Sequence, residues 1–275
     1  MSEEKTKKIL ISASSVFILL FSLVSLLWML AVSFSGNIDF LRSGRYLITL
    51  SNYHDIVRLR NLHFTDYMRN SMIIATLTSL IVVAIGLFAE YAVTRMNFPR
   101  KELFVMGVLA VSMFPQISIV GYLFKLMSSI GLINTYPALI IPYVAWTTPV
   151  VLWLLTSYLT GIPRELDEAA LVDGASRSRA LLRVIFPVAA PGVFSAILIA
   201  FILSYNEFMF ALMLTNDFRA RTIPVGIALF QGLHGEIPWG YVMAGAALAS
   251  LPVILIALFF QRYITEGLTR GAVKG

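Results

Sequence analysis

The stretch EAALVDGASRSRALLRVIFP, residues 168–187, breaks into a chain that is otherwise almost continuous hydrocarbon. Arg164, Arg177, Arg179 and Arg183 gather in and just before it, with Glu165, Asp167, Glu168 and Asp173, punctuated by Gly174 and Pro187. Outward from this insert the charges vanish. None occurs between Lys8 and Asp39, Glu102 and Lys125, Arg183 and Glu207, or Glu236 and Arg262. Each gap exceeds the roughly 20 apolar residues needed to cross a bilayer core about 30 Å thick. Of the 275 residues, 58% are hydrophobic and 13% charged, whereas a soluble domain carries about 25% charged residues. The chain is an integral membrane protein, and the insert is a polar island between two spans.

Lipid offers no partner to a free backbone N–H or C=O, so the spans are helices. The expected fold is all-α and polytopic: one transmembrane domain over 1–275, with six spans at about 9–34, 70–93, 103–124, 137–159, 188–214 and 240–261, and a polar loop at 160–187. The uncharged, mainly apolar run at 9–30 is 22 residues long, beyond the roughly 7–15 of a signal-peptide core. The first segment therefore reads as a retained span. Pro115, Pro142, Pro149 and Pro252 fall inside spans, where each removes a backbone donor and favours a kink.

Basic residues favour cytoplasmic loops. Lys5, Lys7, Lys8, Arg95, Arg100, Lys101 and the four arginines of the insert all lie on the N-terminal side of the membrane if six spans are counted. That bias predicts both termini, and the insert, in the cytoplasm. It also explains the net charge of +6 without nucleic acid, since no basic stripe with interleaved aromatics is present. Cysteine is absent, so no disulfide is available.

Within the insert, Pro163 suits the first turn of a helix, and Glu165, Asp167 and Glu168 suit its positive end. Leu166, Ala169 and Ala170 form a narrow apolar stripe. Gly174 is a natural helix stop, Ser176 a cap for a second short helix, and Pro187 its expected end before the fifth span. The product is a helical knuckle whose adjacent alanines let another protein approach closely. An amphipathic helix lying on lipid headgroups is the alternative, but its acidic first half would be repelled by anionic lipid.

Glu168-Ala169-Ala170, three residues, Gly174, nine residues and Val184-Ile185-Phe186-Pro187 resemble the EAA loop of ATP-binding-cassette importer membrane subunits, EAA-x3-G-x9-I-x-L-P. Val184 and Phe186 are conservative departures from it. The resemblance covers nearly the whole chain and is to carbohydrate permeases of the maltose/trehalose-importer type, the smaller six-span subunit. It is carried by Asn70-Ser71, YAVTRMNF (91–98), SMFPQISIV (112–120), GLINTYPALIIPY (131–143), Tyr205-Asn206-Glu207-Phe208, RTIPVG (221–226) and GLTRGAVKG (267–275). The family usually has Trp where this chain has Tyr205.

The resemblance implies a prokaryotic inner-membrane location and a set of partners: a second, larger permease, two ATPase subunits and an extracytoplasmic sugar-binding protein. It implies that ATP and Mg bind on the ATPases and that this chain holds no cofactor or metal. Glu168 would make the ionic contact to an ATPase, Ala169 and Ala170 the close-packed face, and Gly174 the turn, with Pro187 closing the loop. Lys274 and Gly275 would reach the ATPase from the tail. Gln231, Gly232, His234, Pro238 and Trp239 would form a loop touching the binding protein, or else a plain connector.

Tyr205, Asn206 and Glu207 are candidates for the translocation pathway. Asn206 lies about 27 Å along a helix starting near Val188, at the outer edge of the membrane, where a packing role is the competing reading. Glu90, at the inner end of the second span, reads as snorkelling to water or pairing with Arg95. No G-x-x-x-x-G-K-[ST] phosphate loop, H-E-x-x-H or G-x-S-x-G occurs, so hydrolysis belongs to another polypeptide. A secondary transporter would show two similar halves and midplane charges, whereas this sequence has no internal repeat and few midplane charges. Glycerol phosphate and other sugars remain open as cargo beside maltose and trehalose.

Overall fold

In a computed structural model, residues 3–36, 47–96, 100–230 and 238–272 are described. Five helices among them are long and apolar enough to cross a membrane, and six if one sharply bent pair counts as a single span. Helices α1 (Glu3–Ser33), α2 (Ser51–Arg58), α3 (Phe64–Arg95), α4 (Lys101–Ser112), α5 (Gln116–Ser129) and α6 (Tyr136–Thr160) lead to α7 (Glu165–Val172). Helices α8 (Arg177–Ala180), α9 (Phe186–Tyr205), α10 (Met209–Leu214), α11 (Ile223–Ala228) and α12 (Trp239–Ala272) come after it.

Two compact units are resolved. The first comprises residues 1–64 and 227–251. Its polar fastening is α2. The Asn52 amide donates to the carbonyls of Ser33 and Ser35 at 2.8 and 3.0 Å, and the Tyr53 and Ser33 hydroxyls meet at 2.6 Å. The Tyr241 hydroxyl donates to Asp55 at 3.1 Å. The Asn52 bonds satisfy carbonyls at the end of α1 that have no intrahelical partner. Most of α1 presents its apolar side chains outward along its length, as a lipid-facing helix must.

The second unit comprises residues 65–226 and 252–275. One of its cores joins α3, α6 and α9 through Val82, Val83, Leu87, Val151, Leu155, Leu159, Ala189, Val193 and Ala196. Small residues let the helices approach closely, as lipid-embedded interfaces require. At Gly192 a Cβ would run into the ring of Tyr158. A second core gathers Ile74, Leu139, Tyr143, Phe210, Ala211 and Leu214.

Three expected boundaries change. The span expected at 103–124 is two helices, α4 and α5, meeting at 90°. Pro115 heads α5 in an extended conformation, φ −69° and ψ 133°, and proline also disfavours helix in the residue before it. The span expected at 188–214 breaks after Tyr205, with α10 starting at Met209. Pro187, expected to end the insert, does not interrupt the helix, which runs from Arg177 to Tyr205.

The accommodation lies just upstream of Pro187. Residues Leu181–Ile185 form a π-helical turn in which the Phe186 N–H reaches back to the Leu181 carbonyl. Proline has no N–H and its ring crowds the carbonyl four residues earlier. The wider π turn relieves that crowding without breaking the helix.

Candidate functional site: a helical knuckle anchored to two spans

Helix α7 is the core of the knuckle, and its end is closed by glycine. Gly174 has φ +80°, the left-handed conformation that L side chains resist. The Ala175 N–H reaches Ala170 O at 3.0 Å and the Gly174 N–H reaches Leu171 O at 3.1 Å, the paired bonds of a Schellman stop. The Ser176 hydroxyl then accepts from the Arg179 N–H at 3.4 Å, capping α8.

The two alanines part company. Ala170 turns inward with Asp167, and both are buried. Ala169 stays exposed beside Glu165, Leu166 and Glu168, and Val172 at the tip is 87% exposed. The outward apolar stripe is therefore Leu166, Ala169 and Val172, flanked by carboxylates. It is free of cover from the chain's own core.

The inward face holds a polar joint that sequence reading did not find. Arg95, the last residue of α3, places its Nε 2.9 Å from Asp167 Oδ2, with the two side chains 5% and 8% exposed. The separation makes an ion pair, although the N–H does not point along the line to the oxygen. Tyr91 donates to the other carboxylate oxygen at 3.0 Å. Arg95 Nη2 also donates to the carbonyls of Leu159 and Ile162 at 3.2 and 2.7 Å, where a cation complements the negative end of α6. Arg164 Nη2 donates to Thr94 O at 3.1 Å. Glu90 neither pairs with Arg95 nor reaches water: it is 1% exposed, beside Thr156 of α6.

At the other end of this unit, Glu207 accepts from the N–H groups of Phe210 and Ala211 at 2.8 and 3.1 Å. It thereby caps α10, which explains why the expected span breaks there. The Tyr143 hydroxyl faces this carboxylate closely enough to feel its charge, though not in hydrogen-bond geometry. Tyr205 is buried, stacked on Phe201 with centroids 5.6 Å apart, and donates weakly to Met68 Sδ at 3.2 Å. Asn206 is exposed and its amide returns to Ile202 O at 2.9 Å.

Three short motifs singled out in the sequence converge nearby. Asn70 donates to the carbonyls of Phe218 and Arg221 at 2.8 and 3.0 Å and accepts from the Tyr136 hydroxyl at 2.7 Å. Ser71 accepts from the Ile223 N–H at 2.8 Å. Asn134, left-handed at φ +64°, donates to Asp217 at 2.7 Å and accepts from the Asn216 and Asp217 N–H groups at 3.1 and 3.3 Å. Hydrogen bonds from the Arg219 side chain, the Asn134 amide and the Arg219 N–H hold the Asp217 carboxyl well below the usual range. The loop at 216–222 is thus pinned by side chains from α3 and from the turn before α6. Trp239 opens α12 and is partly exposed, next to Pro238. Gln231, Gly232, His234, Lys274 and Gly275 lie outside the described residues.

A family model described as the inner membrane component of binding-protein-dependent transport systems matches residues 82–270, which include the knuckle and its joint. The chain belongs to that family. It is an inner-membrane, multi-pass permease of ATP-binding-cassette import, working with a substrate-binding protein. The permease is 50% identical, over all of both chains, to the trehalose/maltose transport system permease protein MalG of Thermococcus litoralis. It is 39% identical to the trehalose transport system permease protein SugB of Mycobacterium tuberculosis over 93% of each chain.

Among solved structures, a bacterial transporter that imports the acidic polysaccharide alginate has a chain matching at a TM-score of 0.76. The match covers 96% of the permease and 98% of that chain at 19% identity, a likeness of fold. The alginate transporter bound to its periplasmic protein matches at 0.67, with 94% of each chain covered and 17% identity.

Proposed function

We propose that this permease moves a trehalose- or maltose-class disaccharide into the cell, and that the knuckle is where an ATPase subunit drives it. The observation carrying the cargo is the 50% identity, end to end, with a trehalose/maltose permease. Glu165 and Glu168 on the exposed face of α7 supply charge for a basic site on the ATPase. Leu166, Ala169 and Val172 supply the apolar seat between them. A second, larger permease completes the channel, and a sugar-binding protein delivers cargo at the opposite end. Both termini and the knuckle lie in the cytoplasm on this reading, consistent with the basic residues at that end. Closure of the ATPases on ATP would swing the knuckle and switch the spans between two packed arrangements.

The test is reconstitution of the purified complex with its binding protein. Trehalose and maltose should each stimulate ATP hydrolysis and enter liposomes, and glycerol phosphate should not. Stimulation by glycerol phosphate alone would move the cargo to the other class. Uptake by the isolated chain driven by a proton or sodium gradient would sink the ATP-driven reading altogether.

A further inference from the structure

The stroke needs a path from the knuckle into the membrane, and covalent connectivity offers two: back into α6 or forward into α9. The forward connection departs from regular α-helix: it passes through the π turn Leu181–Ile185, a widening of the kind at which helices kink, with the Leu181 and Ile185 side chains themselves packed in the core. On the inward side of α7 the connection is stiff, and it leads to a helix that is not adjacent in sequence. One guanidinium ties Asp167 of α7 to the carbonyls of Leu159 and Ile162 at the end of α6, from its own place at the end of α3. Tyr91 and Arg164 add bonds between the same helix ends.

Buried ion pairs are weak devices for stability, because desolvation cancels most of their attraction and apolar side chains often do as well. Their advantage is directional: here the guanidinium is fixed by two carbonyl bonds through Nη2 while its Nε faces the carboxylate at ion-pair distance, which restricts the geometry the joint can adopt. We infer that Arg95 and Asp167 are positioning residues that make α7 and the adjoining ends of α3 and α6 one rigid body, so that the push on the knuckle is delivered to the second span while α9 flexes at its π turn. This rests on the reading of α7 as the ATPase-driven element.

The experiment uses the full reconstituted complex carrying Asp167→Asn, Arg95→Gln or Arg95→Lys, with three readouts: ATPase recovered per permease, ATP hydrolysed, and sugar moved per ATP. Asp167→Asn and Arg95→Gln should retain the ATPase and hydrolyse ATP while sugar per ATP falls about fivefold or more, the lower bound of ordinary coupling energies. Arg95→Lys, which keeps the charge and loses the fork, should fall between them and the parent. An unchanged ratio in both neutral variants would overturn the inference.

Because a buried-pair variant can fail to accumulate, a second measurement leaves the pair intact. Spin labels at exposed Asp173, at the end of α7, and at exposed Met96 should keep their separation between nucleotide-free and ATP-bound complex, while Asp173 and exposed Val188, beyond the π turn, change theirs. The reverse pattern refutes the joint. Absence of any ATPase from the parent complex would instead overturn the docking reading, and the joint as transmitter with it.

Discussion

Replacing Glu207 separates two roles that a carboxylate at the edge of a span can play. In the structure each of its oxygens receives a backbone N–H, from Phe210 and Ala211, which are 1% and 0% exposed. Glu207→Ala leaves both donors buried and unpaired. A hydrogen bond to a charged group contributes about 1.5–3 kcal/mol, and loss of a helix cap about 0.5–2 kcal/mol. Since the two bonds share one cap they do not add fully, and a total cost of about 3 kcal/mol is expected. Glu207→Gln keeps one acceptor oxygen and should cost about half as much. Trp146 reports the change, because its ring lies edge-on to Phe210 at 6.2 Å. The assay is thermal unfolding of the purified complex monitored by tryptophan fluorescence, alongside the KM for sugar-stimulated ATP hydrolysis. Melting should fall in the order parent, Gln, Ala, with KM within about twofold in folded protein, as expected when no ground-state contact to substrate is lost. Parent-like melting in Glu207→Ala with a KM raised about tenfold or more would refute the cap and make Glu207 a sugar ligand.

Gly174→Ala puts a Cβ on a residue at φ +80° and should destabilise the knuckle by about 1–2 kcal/mol, read as faster limited proteolysis at the loop and less ATPase recovered with the permease. Glu168→Lys changes an exposed side chain, so melting should stay within about 0.5 kcal/mol of the parent while ATPase recovery collapses; intact recovery would remove Glu168 from the docking surface. Asp217 has its pKa depressed, so its contribution to order in the loop at 216–222 is complete above the ordinary Asp range and declines only as pH falls below about 4. Proteolysis of that loop should therefore be flat from about pH 5 to 8 and rise in acid, and Asp217→Asn should show the faster rate at every pH.

The apolar spans were legible because bilayer thickness imposes a length that charge-free gaps reveal directly. Their interruptions were less so. Pro115 breaks a span whereas Pro142, Pro149 and Pro252 sit within helices; the difference lies in the extended ψ at Pro115, which composition does not encode. Asn206-Glu207 looked like an isolated polar pair, since a carboxylate capping its own backbone three and four residues ahead has the same sequence appearance as one facing a channel. In the knuckle, Asp167 and Ala170 share one spacing while Leu166 and Ala169 share another, and two turns of helix give no internal basis for choosing which pair is buried. Arg95 and Asp167 are far apart in a single sequence, with nothing in either segment to nominate the other. By contrast, Gly174 stood where helix geometry demanded, because its stop depends only on local backbone preference.

The π turn before Pro187 also carries a counting consequence. Each residue added to an α-helix rotates the remainder of the helix by about 100°, and a π turn absorbs one such residue locally while the helices on either side keep their azimuthal phase. The nine residues between Gly174 and Val184 therefore include the start of an insertion hidden inside an unbroken helix. Removing one residue from Leu181–Ile185 should preserve which faces of α8 and α9 are buried, yet bring the proline ring back against the carbonyl four residues before it. Amide exchange around that carbonyl would then quicken, marking the extra residue as the slack that lets one continuous helix carry a proline.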